Sequence, residues 1–453
     1  MGFTTLSLHH LFLLLATVLH QFTSSAAIGV NYGMVADNLP PPSEVANFIK
    51  TKTIFDSVKI FDCNPDVLRA FADSGISVTV TVPNAEIPSL TNIRAARRWV
   101  NANIKPFYPQ TKIKYISVGN EVLFFNTPEH VNNLVPAIRA LNRALNKVGI
   151  HDVKVTTAHA LNIFEVITLP SLTRFRNDFA KPVFAPLLLF LGKTKSPFMI
   201  NPYPYFELNT LGNNLDFAVF RGGPGMFDKH SGKTYTNAFD VLLDRTFSAM
   251  SALGCGDVDI VIGETGWPSM SDAGNVATVE NALSYNGNLV KEILAGKGTP
   301  LMPNRKFEAY IFGLFNENQK SGPLAERNWG LFRPDYSPVY NAGVLRDGQP
   351  FVPAQPQPQP TPGQSGKKFC VAKPEANDGQ LQAALDWACS QGTDCGPIQP
   401  SAPCAEPATA RSRATFAMNS YYRNHGEVDS ACDFSGTAQI TTVDPSYGNC
   451  HYL

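Results

Sequence analysis

The chain has 453 residues, of which 44% are hydrophobic, enough for one large domain with a sizeable core and a smaller appendage. Lys and Arg together number 37, as do Asp and Glu, so the formal net charge is zero. This balance argues against nucleic acid or an anionic membrane surface as a partner. Charged residues are only 16% of the chain, which suits a neutral polymer as a partner.

The N-terminus carries a segment that predicts secretion. Residues 11–19 form an apolar core too short to span a bilayer, and small residues follow at 24–27. We predict a signal peptide over residues 1–26 and therefore an extracellular or cell-wall protein, although the segment lacks the usual Lys or Arg before its apolar core. An N-terminal anchor is the alternative, and it would need a longer apolar run. The tail up to Leu453 carries no apolar run, so we expect no lipid anchor there.

In chain order, eight β-type runs alternate with segments of helical period. The predicted strands are 28–33, 57–62, 77–84, 113–121, 153–160, 198–206, 259–268 and 308–318. These runs are almost continuously hydrophobic, as strands buried on both faces should be. The pattern predicts an α/β fold, a (β/α)8 TIM barrel over residues 27–348. An open doubly wound sheet is the alternative, but the first strand lacks the glycine-rich phosphate turn of that fold.

Two helices between these strands are predicted most clearly. One covers residues 277–294, and the other covers 92–108 and stops before Pro109. The predicted apolar face of the first helix comprises Val279, Leu283, Leu289, Val290 and Ile293.

A linker and a small second domain follow the predicted barrel. Residues 349–367 alternate Pro with Gln and then become Gly-rich, which predicts a polyproline II spacer with a flexible end. Residues 368–453 are too few to bury much core unaided. One helix is clear there, with Asp378 near its N-cap position. Its apolar face comprises Leu381, Ala384, Leu385 and Ala388.

The eight cysteines are distributed unevenly along the chain. Only Cys63 and Cys255 precede residue 369, whereas six lie between Cys370 and Cys450. A short cysteine-dense segment behind a secretory signal predicts a disulfide framework, whose pairing the sequence alone leaves open. We expect Cys63 and Cys255 to be free buried thiols rather than a bridge.

Two carboxylates stand where a barrel places its chemistry. Glu121 and Glu264 end the fourth and seventh predicted strands, and βα-loops at those strand ends form the active sites of barrels. Two carboxyl groups about 5–5.5 Å apart are what a retaining glycosidase needs. Asn120 is placed to bond a sugar 2-hydroxyl, which favours Glu121 as acid/base and Glu264 as nucleophile. The alternative is that each Glu is a solvated loop carboxylate or a salt-bridge partner.

The other strand ends carry aromatic and amide side chains. Rings stack on the faces of sugars and amides bond sugar hydroxyls, so this composition also favours a sugar site. We find no cluster of metal-ligand residues in the sequence and predict neither a metal nor a cofactor.

The residues around Glu264 resemble a known family. Residues 261–269 read VIGETGWPS, which is similar to the active-site signature of the plant glucan endo-1,3-β-glucosidases, glycoside hydrolase family 17. Further similar blocks occur in the family's order at 29–33, 118–121, 201–206, 315–320 and 328–332. The resemblance covers residues 28–345. It implies a (β/α)8 barrel and retaining hydrolysis of internal β-1,3 bonds in glucans such as callose.

The resemblance also assigns roles to individual residues. Glu264 falls on the position of the nucleophile and Glu121 on that of the acid/base. Glu317 and Lys320 match a pair near the active centre, where Glu317 would raise the pKa of the acid; a plain surface ion pair is the alternative. Trp267 would either stack on sugar or pack in the barrel rim. The positions that match cleft-lining residues are Tyr32, Asn120, Asn201 and Tyr203.

The cysteine-rich tail resembles the plant β-1,3-glucan-binding module, carbohydrate-binding module family 43. That resemblance implies the pairs Cys370–Cys432, Cys389–Cys395 and Cys404–Cys450. Phe369 and Met418 depart from the usual Trp and Phe, which lowers affinity if those rings touch sugar and changes nothing if they are core. The candidate stacking rings are Tyr421, Tyr422 and Tyr447, with core packing as the alternative for each.

Together these expectations describe a secreted, monomeric endo-β-1,3-glucanase that carries a glucan-binding module on a linker. Its expected partner is β-1,3-glucan, with no nucleic acid and no membrane anchor. A catalytically weak glucan-binding cell-wall protein and a β-1,3-glucan transglycosylase are the alternatives, and the latter shares the covalent intermediate.

Overall fold

The computed structural model describes residues 27–272, 276–346, 368–373, 376–400, 402–405, 409–441, 445–446 and 450–452. The predicted signal peptide, the predicted linker and Tyr447 lie outside these residues. The described chain separates into two compact units, with residues 27–346 in one and residues from 368 onward in the other. Within the described residues, no helix combines the length and apolar character needed to cross a membrane.

The first unit is built on a closed sheet. Its strands are β1 (Ile28–Tyr32), β2 (Ser57–Ile60), β3 (Ser77–Val82), β4 (Lys112–Asn120), β5 (Lys154–His159), β6 (Phe198–Ile200), β7 (Met226–Asp228), β8 (Lys233–Tyr235), β9 (Ile260–Thr265) and β10 (Glu308–Ile311). The ring order is β1-β2-β3-β4-β5-β6-β9-β10, with every neighbouring pair parallel, and β7 and β8 form a separate antiparallel hairpin. The predicted (β/α)8 barrel is confirmed.

Helices and short turns connect the barrel strands. The α-helices of this unit are Pro42–Lys52, Pro65–Ala70, Ile93–Asn103, Val122–Phe125, Pro128–Lys147, Asn177–Phe179, Ala185–Thr194, Leu215–Ala218, Ala238–Ala252 and Val279–Leu294. Sequence signals fix several of their ends. The Asn92 side chain accepts from the amides of Arg94 and Ala95 and so caps the third helix, whereas Thr278 caps the last one through the amide of Asn281.

Several predicted boundaries are wrong for local reasons. Strand β6 ends at Ile200 rather than at residue 206, because Pro202 and Pro204 have no amide hydrogen to donate to a sheet. Strand β10 ends at Ile311 rather than at 318, and the following amide of Leu314 donates to Asn31 outside the regular ladder. The predicted helix over 92–108 ends at Asn103.

The predicted apolar face of the helix Val279–Leu294 is only partly correct. Leu289, Val290 and Ile293 are buried, but Val279 and Leu283 are 48% and 37% exposed. The buried row begins instead at Ala282 and continues through Tyr285, at the same three- and four-residue spacing. Val279 lies in the first helical turn, ahead of this row.

The second unit is a small α+β fold, as predicted. Strands β11 (Phe369–Ala372) and β12 (Ala438–Thr441) pair antiparallel, beside the α-helices Asp378–Ser390 and Ala410–Asn424. The predicted face of the first helix is buried, but Asn377 rather than Asp378 is its N-cap, in a capping box with Gln380. Phe369 and Met418 are 2% and 0% exposed, so the two departures from the family pattern are core positions.

Three disulfides hold this unit together. They join Cys370 to Cys432, Cys389 to Cys395 and Cys404 to Cys450, which confirms the pairing implied by the resemblance. Cys63 and Cys255 are free, as expected, although both are only partly buried.

Candidate active site

A cleft of about 830 Å³ opens where the barrel strands end. The predicted site residues that line it are Asn120, Glu121, Asn201, Tyr203, Glu264, Glu317 and Lys320. They come from β4, β9 and the segments that follow β6 and β10, so the closed sheet brings together side chains far apart in the chain. Among the residues that the structure describes, no group of three or more His, Cys, Asp or Glu side chains is placed to hold a metal ion.

Two predicted contact residues do not reach the cleft. Tyr32 is 1% exposed, with its ring edge-to-face to Phe315. Trp267 is fully buried between Tyr205 and Tyr285, and its indole Nε1 donates to the Val276 carbonyl at 2.9 Å. The expectation that Tyr32 lines the cleft and the stacking alternative for Trp267 are therefore wrong, because both rings pack in the protein interior.

Glu264 is held by two donors inside the barrel mouth. The carboxylate is 5% exposed and belongs to β9. Its Oε1 lies 2.7 Å from the ammonium Nζ of Lys59, and its Oε2 accepts from the Tyr203 hydroxyl at 3.2 Å. Burial, and next the charge of Glu264, raise the pKa of Tyr203 well above its ordinary value, so this hydroxyl stays protonated and able to donate.

Lys59 is a site residue that the sequence analysis missed. It lies on β2 and is fully buried, 3.4 Å from the Asn120 side-chain oxygen and 4.2 Å from the centre of the Phe61 ring. A lone Lys inside the apolar run 57–62 was the available signal, since a buried ammonium requires a partner. The run was interpreted only as barrel wall.

Glu121 has a different environment from Glu264. Its carboxylate Oε1 accepts a hydrogen bond from the Asn201 amide at 2.9 Å. Its pKa is raised to about 7, first by burial and next by the charge of Glu264, against the opposing effects of Asn201 and Lys59. At neutral pH this carboxyl group is therefore partly protonated, as a general acid must be.

The backbone at Glu121 adopts the left-handed conformation, with φ 53° and ψ 38°. Its amide donates to the Ala158 carbonyl at 3.0 Å, and the helix Val122–Phe125 begins at the next residue. The preceding Asn120 is fixed by Asn84, whose side chain both accepts from the Asn120 amide at 2.8 Å and donates to its carbonyl at 3.0 Å. The strand end that carries the acid is thus anchored on both sides.

Glu317 and Lys320 form a pair inside the cleft rather than on the open surface. Glu317 is 5% exposed, its Oε1 accepts from the Val35 amide at 2.8 Å, and its Oε2 lies 3.5 Å from Lys320 Nζ. A Cβ at Gly33 would come within 2.3 Å of the Glu317 carboxylate, so the close approach requires glycine. After Glu264, the carboxylate of Glu326 also raises the pKa of Glu121.

Aromatic rings form much of the cleft wall. They are Phe61, Phe124, Phe125, Tyr203, Phe206, Phe312 and Trp329. Phe206 is 60% exposed, and Lys320 Nζ lies 4.3 Å from the centre of the Phe312 ring. Of these rings, only Tyr203 was predicted from the sequence as a contact residue.

The small unit carries a groove of its own, about 590 Å³ in volume. Its floor is an aromatic cluster in which the Trp387 ring lies 4.9 Å from Tyr421 and 5.6 Å from Phe434, and Trp387 is 47% exposed. Polar residues Asp433 and Ser435 also line the groove. Tyr421 is therefore a groove residue, whereas Tyr422 is buried, so the core alternative holds for Tyr422.

Comparisons with known proteins agree with this geometry. The family model described as glycosyl hydrolases family 17 matches residues 28–344, and the X8 domain model matches residues 368–439. A glucan endo-1,3-beta-glucosidase of Triticum aestivum is 44% identical over 443 residues, covering 95% of this chain and 95% of the relative. A glucan endo-1,3-beta-D-glucosidase of Olea europaea is 39% identical over 454 residues, covering 99% and 98% respectively.

A solved structure is similar to the first unit. The β-1,3-glucanase and pollen allergen CJP38 of Cryptomeria japonica superposes with a TM-score of 0.65 at 44% sequence identity. The superposition covers 69% of this chain and 98% of the CJP38 chain. This is the coverage expected if only the barrel is matched and the small unit is not.

Proposed function

The chain belongs to glycosyl hydrolases family 17, and we propose that it hydrolyses internal β-1,3-glucosidic bonds of β-1,3-glucans with retention of configuration. Glu264 is the proposed nucleophile and Glu121 the proposed acid/base. The observation that carries the assignment is the contrast between the two carboxylates. Glu264 receives an ammonium and a hydroxyl, which stabilise negative charge, whereas burial and Glu264 raise the pKa of Glu121 to about 7.

The first half-reaction transfers a glucosyl unit to the enzyme. A Glu264 oxygen bonds to the anomeric carbon as the glycosidic C–O bond breaks, and the Glu121 proton passes to the leaving oxygen. Glu264 is then an ester and carries no charge. The electrostatic repulsion that raises the pKa of Glu121 disappears, so this pKa falls and the group stays ionised, able to accept a proton.

The second half-reaction releases the sugar. Glu121 accepts a proton from water, the water oxygen bonds to the anomeric carbon, and the ester bond to Glu264 breaks. Two inversions at the same carbon return the β configuration. Lys59 and Tyr203 then receive the Glu264 carboxylate as it re-forms, in the positions that they already occupy in the free enzyme.

Contacts to the substrate are proposed for the polar residues of the cleft. We propose that the side-chain amide of Asn120, whose oxygen lies 3.4 Å from Lys59 Nζ, bonds a sugar 2-hydroxyl. Lys320, Glu317 and Asn201 supply further hydrogen-bonding groups along the same cleft.

We also propose that the small unit binds β-1,3-glucan and that the protein is secreted to the cell wall as a monomer. The groove beside Trp387 combines an exposed ring face with polar groups at its edge, the composition that suits a sugar chain. Binding there would raise the local concentration of substrate near the barrel without new chemistry. A transglycosylase shares the same glucosyl ester, and a catalytically weak glucan binder is the other alternative.

Product analysis on linear β-1,3-glucan tests the proposal. The wild-type chain should release new reducing ends, with the β anomer first in proton NMR, whereas Glu264→Gln should be slower by about 10⁴-fold or more. Release of the α anomer first would refute retention, and undiminished activity of Glu264→Gln would refute the nucleophile. Products longer than the substrate would indicate transfer, and a wild-type chain that binds glucan without producing ends would support the binding protein.

A further inference from the structure

Two exposed phenylalanines stand side by side on the wall of the cleft. Phe124 and Phe125 are 57% and 65% exposed, and their rings meet edge-to-face with centres 5.5 Å apart. Single exposed apolar side chains are common on protein surfaces. Two large rings side by side in the lining of a substrate cleft are a different case. Neither ring is buried in the protein core, so core packing does not explain why they are there.

The chain presents this pair in a fixed position next to the acid. The helix Val122–Phe125 buries its first two side chains, each 1% exposed, and turns the two rings outward. Left-handed residues bound it at both ends, Glu121 with φ 53° and Asn126 with φ 49°. The Phe124 amide donates to the Glu121 carbonyl at 2.9 Å, so the rings and the acid belong to one local structure.

The ring order of the barrel places the pair at one end of the cleft. The strand before Glu121 is β4, and β10 lies four strands away in a ring of eight, on the opposite side. Val35 and Glu317, which share a hydrogen bond, lie at the β1 and β10 side, whereas Phe124 and Phe125 lie at the β4 side. The general acid gives its proton to the leaving oxygen, so the leaving part of the glucan lies on the side of Glu121.

We propose that Phe124 and Phe125 form a stacking platform for the glucosyl units of the leaving segment. This inference rests on the proposed function, and it deepens that function by assigning the acceptor side of the cleft. Binding energy from sugars beyond the cleaved bond then contributes to the rate of cleavage. The same platform receives an incoming glucan in place of water, so it also governs the extent of transfer.

The test compares two substrates in the double variant Phe124→Ala/Phe125→Ala. One is a linear β-1,3-glucan hexaose, and the other is β-laminaribiosyl fluoride, whose leaving group is an ion that cannot stack. We expect kcat/KM on the hexaose to fall about tenfold or more and on the fluoride by less than about twofold. Transfer products from the hexaose should fall by at least the same factor as its hydrolysis.

Phe227→Ala is the matched control, because Phe227 is 63% exposed on the hairpin β7–β8 and does not line the cleft. It should leave kcat/KM on both substrates unchanged. Restoring aromatic rings with Phe124→Tyr/Phe125→Tyr should recover most of the activity on the hexaose.

Three outcomes separate the possibilities. Equal losses on both substrates, or no loss on the hexaose, would overturn the platform. A thermal midpoint equal to that of the wild type would show that a selective loss does not come from unfolding. A wild-type chain inactive on both substrates would instead contradict the proposed function, and the platform with it.

Discussion

The two units of the chain stabilise their sugar sites by different physical means. The barrel surrounds its site with a closed eight-stranded sheet and a large hydrophobic core, and its cysteines Cys63 and Cys255 are free. The described part of the small unit has a two-stranded sheet, two long helices and three disulfides. The difference follows from size, since a short chain buries too little apolar surface to be stable without cross-links.

The two sites differ as much as the scaffolds. The barrel cleft contains a buried ion pair, Lys59 with Glu264, which is stable only where surrounding structure fixes both partners. The groove of the small unit presents the exposed ring of Trp387 and solvated polar groups. A large rigid scaffold can therefore hold buried charge for chemistry, whereas a small cross-linked one offers surface for adhesion.

Reduction of the disulfides should have the largest effect, and it should affect the small unit alone. Treating the intact chain with a thiol should abolish its retention on insoluble β-1,3-glucan, because each of the three cross-links contributes about 2–5 kcal/mol to a unit with a small core. Hydrolysis of soluble oligosaccharides should stay within about twofold, since none of these bonds lies in the barrel. The oxidised chain is the control, and a parallel loss of hydrolysis would contradict the independence of the two units.

Removing the buried cation of the barrel should have the next largest effect. Lys59→Met keeps the length of the side chain but leaves the Glu264 carboxylate without its ammonium partner, so kcat/KM should fall about 100-fold. Retention on insoluble glucan should not change. Lys114→Met is the matched control, because Lys114 pairs with Glu308 at the same 2.7 Å near the other end of the barrel. A comparable loss of activity in Lys114→Met would mean that Lys59 acts through general stability.

A single ring in the small unit should matter to binding alone. Trp387→Ala removes the exposed face of the groove, and we expect about tenfold weaker retention on insoluble glucan with unchanged hydrolysis of soluble oligosaccharides. Val428→Ala, at a 52% exposed position that does not line the groove, should behave as the wild type. Full retention in Trp387→Ala would place the glucan elsewhere on the unit.

The smallest effect expected is that of pH on the acid of the barrel. Hydrolysis requires protonated Glu121, whose pKa is raised to about 7, so kcat/KM should fall about fourfold between about pH 6 and about pH 7.5. In Glu264→Gln the neighbouring charge is absent, and the pKa of Glu121 should move downward when titrated by carbon-13 NMR of the labelled carboxyl. An unchanged pKa in that variant would contradict electrostatic coupling between the two groups.

The sequence predicted the scaffold well, because buried parallel strands have a distinctive composition. All eight barrel strands were located, and Glu121 and Glu264 were found because each lies at the C-terminal end of such a strand. The predicted strand ends were less accurate. The chain after β6 and β10 leaves the sheet to form the cleft, and Pro202 and Pro204 were the visible signs of this in the first case.

Side-chain direction was the part that the sequence could not supply. Trp267 follows a strand end and matches a family motif, yet its ring turns into the interior, where Tyr205 and Tyr285 enclose it. Lys59 was overlooked for the converse reason, since it lies within a strand and its ammonium points into the barrel toward Glu264. Which way a residue faces depends on the closure and register of the whole sheet.

The left-handed backbone of Glu121 has a consequence for the durability of the enzyme. The Cβ atom of an L-residue is crowded against the backbone in this conformation, which costs Glu roughly 1 kcal/mol, whereas Asn adopts the conformation more readily. We expect Glu121→Asn to lose activity. Its free energy of unfolding, measured by chemical denaturation, should be about 1 kcal/mol higher than that of the wild type. Equal or lower stability would mean that the bond from Asn201 outweighs the strain. The conformation that positions the acid for catalysis therefore lowers the stability of the protein, and the rest of the barrel is stable enough to remain folded.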